Sequence, residues 1–221
     1  MGAYSAIVNF FQEGGVFMYP IVIVLALGLA IAVERWLYLT MTTTNNQTLW
    51  NKVTPYLKQG NFAAAMQVTS KSKAAIAQIM TYGLNRVRSA RRREDVEQAM
   101  EESLMEVMPR LEKRTHYLAT FANIATLLGL LGTIIGLINA FTAVSNANPA
   151  EKADMLSASI SVAMNTTAFG LMVAIPLLLV HTVLQTKTTA IVDSLEMASV
   201  KFLNAITERG AEAAAPTRTK A

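Results

Sequence analysis

The sequence predicts an all-α membrane protein with three transmembrane helices, the second and third extended into a cytoplasmic helical bundle. Three observations predict it. Of 221 residues 52% are apolar and only 15% charged, whereas a soluble domain carries about 25% charged residues. The charges are also segregated: Val16–Val33, Tyr117–Ala150 and Met155–Thr186 contain no Asp, Glu, Lys or Arg. Crossing ~30 Å of hydrocarbon takes roughly 20 mostly apolar residues; the second and third runs exceed that and the first approaches it. Three such runs buried as core helices would leave too little polar surface to cover them. Finally, Lys and Arg number 0 in residues 1–15, 13 in 34–116, 1 in 145–159 and 5 in 186–221. The positive-inside bias therefore places the N-terminus outside, the 34–116 segment in the cytoplasm, the 145–159 loop outside and the C-terminus inside.

The elements follow in chain order. Residues 1–15, with Ile7, Val8, Phe10 and Phe11 ending at Gly14-Gly15, read as an interfacial amphipathic helix on the outer side. They carry no positive n-region, so the run after them is not read as a cleaved signal peptide. The first span covers 16–37, stopped by Glu34-Arg35-Trp36 and Tyr38 at the interface. Residues 38–116 form a cytoplasmic helical domain. Leu49, Val53 and Leu57, then Phe62 and Met66, flank a Gly60-Asn61 break and predict a helical hairpin over 47–88. Val96, Met100, Leu104, Val107 and Leu111 predict an amphipathic helix over 94–116, with Glu94, Asp95 and Glu97 suiting its N-terminal dipole and Pro109 kinking it. That helix is expected to run straight into the second span, 117–144. A short outer loop (145–158) leads to the third span, 159–185. Ile191, Leu195, Ala198, Phe202 and Ala205 then make a heptad stripe on a cytoplasmic helix over 186–209, expected to pack on the 94–116 unit. Residues 210–221 read as a disordered tail.

The chemistry is sparse. There is no Cys, which removes thiolate metal sites and thiol nucleophiles. GxSxG, HExxH, GxxxxGK[ST] and GxGxxG do not occur. His116 and His181 fall near the cytoplasmic ends of spans and read as interfacial residues. No carboxylate lies within a span, which excludes an intramembrane aspartyl protease and a self-contained acidic proton relay. No catalytic residue, metal site or cofactor is predicted, and the chain does not read as an enzyme. Arg91-Arg92-Arg93 is followed at once by Glu94, Asp95 and Glu97, so it reads as a solvated or headgroup-facing loop, with no nucleic-acid partner.

Polar and small residues are concentrated in two spans. The second holds Thr126, Thr133 and Asn139, with Gly129, Gly132 and Gly136; Gly132-xxx-Gly136 permits close helix approach. The third holds Ser157, Ser159, Ser161, Asn165, Thr166 and Thr167, then Gly170 and Pro176. Such hydroxyls ordinarily bond their own i−4 carbonyl or join helices. Clustered opposite small residues, they can equally line a polar pore.

Leu118–Phe141 (LATFANIATLLGLLGTIIGLINAF) resembles the second membrane helix of the MotA/TolQ/ExbB proton-channel family, and Thr167–Pro176 (TAFGLMVAIP) its third. Gln12–Pro20 through Glu34-Arg35 resembles its N-terminal segment. Size and the short outer loop are closer to the ExbB/TolQ branch than to the flagellar MotA branch. The resemblance implies an ion-channel and stator subunit of the bacterial inner membrane. It would form a homopentamer around the single spans of an ExbD- or TolR-like partner that carries the membrane aspartate, with a TonB- or TolA-like protein beyond. The proton motive force would then drive work in the periplasm or at the outer membrane. By position, Thr133 and Thr167 match the family's pore-facing threonines and Pro176 its third-helix proline; Thr126, Thr166 and Asn165 complete the expected ion pathway, and Gly129, Gly132, Gly136 and Gly170 the helix packing. The branch carries Glu where this chain has Val162, which leaves Na⁺ coupling as an alternative. A non-conducting membrane scaffold is the other.

Overall fold

A computed structural model describes residues 10–11, 14–87, 90, 92–146 and 148–214. Among these, the structure is all-helical: α1 Met18–Lys58, α2 Phe62–Ser70, α3 Ala75–Val87, α4 Arg93–Glu112, α5 Tyr117–Asn146 and α6 Lys152–Ala214. Three helical stretches, Met18–Lys58, Arg93–Ser145 and Lys152–Thr207, are long and apolar enough to cross a membrane. The chain is therefore a multi-pass membrane protein. The expected helix of residues 1–15 lies largely outside the described residues, as do residues 215–221.

The chain divides into two units. The first comprises residues up to Arg35 and Arg114–Leu184, and so holds the apolar parts of α1, α5 and α6. Its interior is built on small side chains: Ala122, Ala125, Ala163 and Ala174 are buried beside Met18, Ile21, Leu118, Val173 and Leu177. Its exterior is apolar as well. Ile23, Leu27, Leu127, Ile134, Ile138, Leu171, Ile175 and Leu179 are all exposed. Contiguous apolar surface of this extent is costly against water and unremarkable against acyl chains. Polar residues mark the border of the unit. Arg114 pairs with Glu34 at 2.8 Å, and the His116 and Tyr117 rings lie 4.7 Å apart.

The second unit comprises Trp36–Lys113 and residues from Gln185 onward. It has an ordinary aqueous pattern: a buried core with charged residues outside. Val96, Met100, Val107 and Leu111 of α4 are buried, as are Ile191, Leu195, Ala198 and Phe202 of α6. The heptad stripe thus faces this unit's own core. A Cβ on Gly83 would lie within 2.9 Å of both Met100 Cγ and Phe202 Cε1, so glycine there lets α3, α4 and α6 meet closely. Arg93 donates to Asn204 Oδ1 at 3.0 Å, a second tie between α4 and α6.

Several boundaries differ from those expected. Helix α1 does not end near residue 37 but runs on to Lys58. Thr40, Thr42, Thr43 and Thr44 each donate to the carbonyl four residues back, at 2.6–3.1 Å, so these weak helix formers satisfy their hydroxyls inside the helix. The Gly60-Asn61 break is present: Gly60 takes φ 73° and Asn61 Oδ1 accepts the Ala64 N–H at 3.1 Å. Beyond it lie two helices where the hairpin reading has one, because Ser72 Oγ accepts the Ala74 N–H and breaks the chain between α2 and α3. Helices α4 and α5 are not continuous. Lys113 closes α4 onto the Pro109 carbonyl at 3.1 Å, and Arg114, whose side chain pairs with Glu34, turns left-handed at φ 67°. Helix α6 starts at Lys152, inside the expected outer loop, and continues to Ala214, so residues 210–214 are helical rather than part of a tail. Alanine, the strongest helix former, supplies much of that stretch.

Candidate functional site

The site lies in the first unit, where α5 and α6 cross. Glycines set the separation. A Cβ on Gly170 would come within 2.6 Å of the Ala125 carbonyl oxygen and 3.1 Å of Gly129 Cα; one on Gly129 would meet Thr167 Cα at 3.2 Å. Both clashes are with backbone, which cannot rotate away. Further along, Gly136 abuts Ala163, whose Cβ would be 2.9 Å away, and Gly132 abuts the Thr166 side chain. The Gly132/Gly136 face is therefore covered by the chain's own third span, not left free for a neighbouring copy.

This approach brings Thr133 and Thr167 together. The Thr167 hydroxyl donates to the Gly129 carbonyl at 2.8 Å, and its Oγ1 lies 3.4 Å from Thr133 Oγ1. Thr133 donates to its own helix, to the Leu130 carbonyl at 2.6 Å. Both donor hydrogens are thus engaged with backbone, while lone pairs on each oxygen remain to accept a proton donor or coordinate a cation. Both residues are only half-buried, with exposed Leu130, Ile134, Met164 and Leu171 as neighbours on their helices. The pair is a polar spot among exposed apolar side chains.

The other expected ion-path residues are placed differently. Thr126 sits two turns from Thr133 on α5, exposed, and donates to the Ala122 carbonyl at 3.1 Å. Thr166 is 1% exposed and its hydroxyl is shared between the Gly14 carbonyl, 2.6 Å, and the Val162 carbonyl, 3.0 Å. Adjacent on a helix, Thr166 and Thr167 thus serve different faces. Asn165 is half-buried and Pro176 exposed, inside a helix that runs through it. Val162 is half-buried against the N-terminal turn: a Cβ on Gly15 would be 3.2 Å from Val162 Cγ1. Among the described residues no cluster of His, Asp and Glu could hold a metal ion.

Sequence reasoning missed the partners of the N-terminal turn. Gly15 takes φ 73°, which only glycine adopts freely, and Phe169 receives the Phe10 and Phe11 rings edge-on at 6.3 and 6.1 Å. The Gly14-Gly15 doublet was the available signal, but it names no partner.

Comparison with known proteins shows the family. Residues 71–197 match the MotA/TolQ/ExbB proton channel family. The chain is similar to a putative biopolymer transport protein ExbB homolog of Methanothermobacter thermautotrophicus, 28% identical over 88% of this chain and 68% of that one. It is similar to a putative biopolymer transport protein, ExbB-like 1, of Synechocystis, 29% identical over 79% of this chain and 68% of the other. A shorter stretch, 37% of this chain and 35% of the relative, is 38% identical to the Tol-Pal system protein TolQ of Haemophilus influenzae. With more than half its length matched and three membrane-capable helices in place, this chain belongs to the MotA/TolQ/ExbB proton channel family.

Proposed function

We propose that the chain is an ExbB/TolQ-like ion-channel and stator subunit of the bacterial inner membrane. It works as a homopentamer with an ExbD- or TolR-like single-span partner and passes the energy of the proton motive force to a TonB- or TolA-like protein. The observation that carries the reading is the Thr133–Thr167 pair: two hydroxyl oxygens 3.4 Å apart on adjacent spans, half-exposed. No carboxylate lies in the charge-free stretches that form these spans. An ion at the bilayer centre needs oxygen ligands or water in place of its hydration shell. The pair supplies oxygens and the partner's aspartate supplies the charge. Thr126 and Asn165 extend the path on either helix.

The Thr166 hydroxyl is committed to Gly14, which leaves two threonine oxygens at the site rather than three. That supports H⁺ over Na⁺, since a bare cation needs a fuller set of oxygens. The Lys and Arg distribution supports an outside N-terminus and inside C-terminus; cysteine at Asn148 should then label from the periplasm and cysteine at Lys71 should not.

The test is ion flux in proteoliposomes holding the complex with its partner. Thr167→Val and Thr133→Val keep shape and remove the hydroxyl; both should assemble and lose flux, Thr167→Val the more completely. Unchanged flux in both variants removes the pair from the mechanism, and flux that requires Na⁺ and ignores a pH gradient overturns the choice of ion.

A further inference from the structure

The N-terminal turn is seated in a notch of the helix pair that carries the proposed ion site. Residue Gly14 offers its carbonyl to the Thr166 hydroxyl at 2.6 Å, across 152 residues of chain, and the bond is buried. Gly15, left-handed at φ 73°, passes close to Val162. Phe17 completes the notch on the α5 side: a Cβ on Gly132 would overlap Thr166 Cγ2 and lie 3.4 Å from Phe17 Cβ. Aromatic rings close over the turn, with Phe11 edge-on to Tyr19 at 5.6 Å and to Phe169 at 6.1 Å. Three segments distant in sequence thus meet at one hydroxyl, next in sequence to Thr167.

We infer that Thr166 is a positioning residue: it latches the N-terminal turn to α6 and so sets how Thr167 is presented to Thr133. The inference rests on the reading of the Thr133–Thr167 pair as the ion site. The packing around it is close: a Cβ on Gly132 would overlap Thr166 Cγ2, one on Gly15 would lie 3.2 Å from Val162 Cγ1, and the Thr166 hydroxyl has a buried acceptor. Without the latch the Gly14 carbonyl is orphaned in an apolar setting, and the turn leaves the notch to hydrate it. The void left beside Gly132 then frees α6 to shift against α5.

The chain has no cysteine, so introduced thiols report cleanly. Two measurements on the full chain in nanodiscs test the latch. The first is amide exchange at Met18 and Tyr19, whose N–H groups bond to Gly15 and Val16 within the turn. Thr166→Val should raise it about tenfold, equivalent to about 1.4 kcal/mol, and Thr166→Ser should restore the wild-type rate. The second is oxidative cross-linking of a Thr133→Cys/Thr167→Cys pair, whose yield should fall severalfold when Thr166→Val is added and not when Thr166→Ser is added. If the valine variant fails to insert, Thr166→Ala takes its place with the same expectations. Exchange or cross-linking unchanged by loss of the hydroxyl overturns the latch. Wild-type flux in Thr133→Val and Thr167→Val overturns the ion-site reading instead, and the exchange result stands apart from it.

Discussion

Replacing Gly170 with alanine adds one methyl group where two helices are closest. The new Cβ would stand 2.6 Å from the Ala125 carbonyl oxygen, 3.1 Å from Gly129 Cα and 3.4 Å from Gly129 N, all backbone. None can rotate away, so α5 and α6 must separate by several tenths of an ångström. Overpacking of this kind costs about 1–3 kcal/mol. Separation also stretches the 2.8 Å bond from Thr167 to the Gly129 carbonyl, worth about 0.5–1.5 kcal/mol. Against this, alanine gains about 1 kcal/mol of helix propensity over glycine. Gly28→Ala is the internal control. Its Cβ would meet only side-chain atoms, Leu177 Cδ2 at 2.7 Å and Cδ1 at 3.0 Å, which can give where backbone cannot, with the same propensity gain. The expected net effect is a loss of about 1–3 kcal/mol for Gly170→Ala and a value near zero for Gly28→Ala. Reversible unfolding in mixed micelles measures both, and proteoliposome flux should fall sharply only for Gly170→Ala. If the two variants are equally stable and equally active, the α5–α6 backbone contact does not hold the threonine pair.

Three further outcomes are expected from the second unit. Asn46→Ala removes the Oδ1 that accepts the Ile76 N–H at 3.2 Å, leaves a buried donor at the start of α3 unpaired, and should cost about 1–3 kcal/mol in chemical denaturation. Ser103→Ala should be neutral or stabilising by up to about 1 kcal/mol in the same assay, because the fully buried Ser103 hydroxyl has no partner among the described residues. Lys187→Met breaks the 2.6 Å bond to Thr40 and the cation–π contact at 4.5 Å from the Trp36 ring; at this exposed site the loss should be about 0.5–1 kcal/mol and visible as a change in Trp fluorescence.

Charge distribution and periodicity by themselves determined the membrane class, the number and order of spans, and the buried face of the second unit. Both signals are local: Ile191, Leu195, Ala198 and Phe202 recur at helical spacing whatever they touch, and they are buried as that spacing requires. The Gly60-Asn61 break was legible for the same reason, since a left-handed glycine followed by an N-cap is a dipeptide property. Helix ends were not. Thr40 to Thr44 look like a loop in composition yet back-bond within α1, and the α4–α5 break falls at a left-handed Arg114 that no turn dipeptide announces. The site divides along the same line. Thr133, Thr166 and Thr167 could be named from their clustering, but three hydroxyls in two apolar helices carry no label for direction. Only the crossing of α5 over α6, fixed by the backbone contacts of Gly129 and Gly170, sends Thr167 toward Thr133 and leaves Thr166 to the N-terminal turn. Residue type sets what a side chain can bond; which partner it meets is decided by segments brought together from 34 and 152 positions apart.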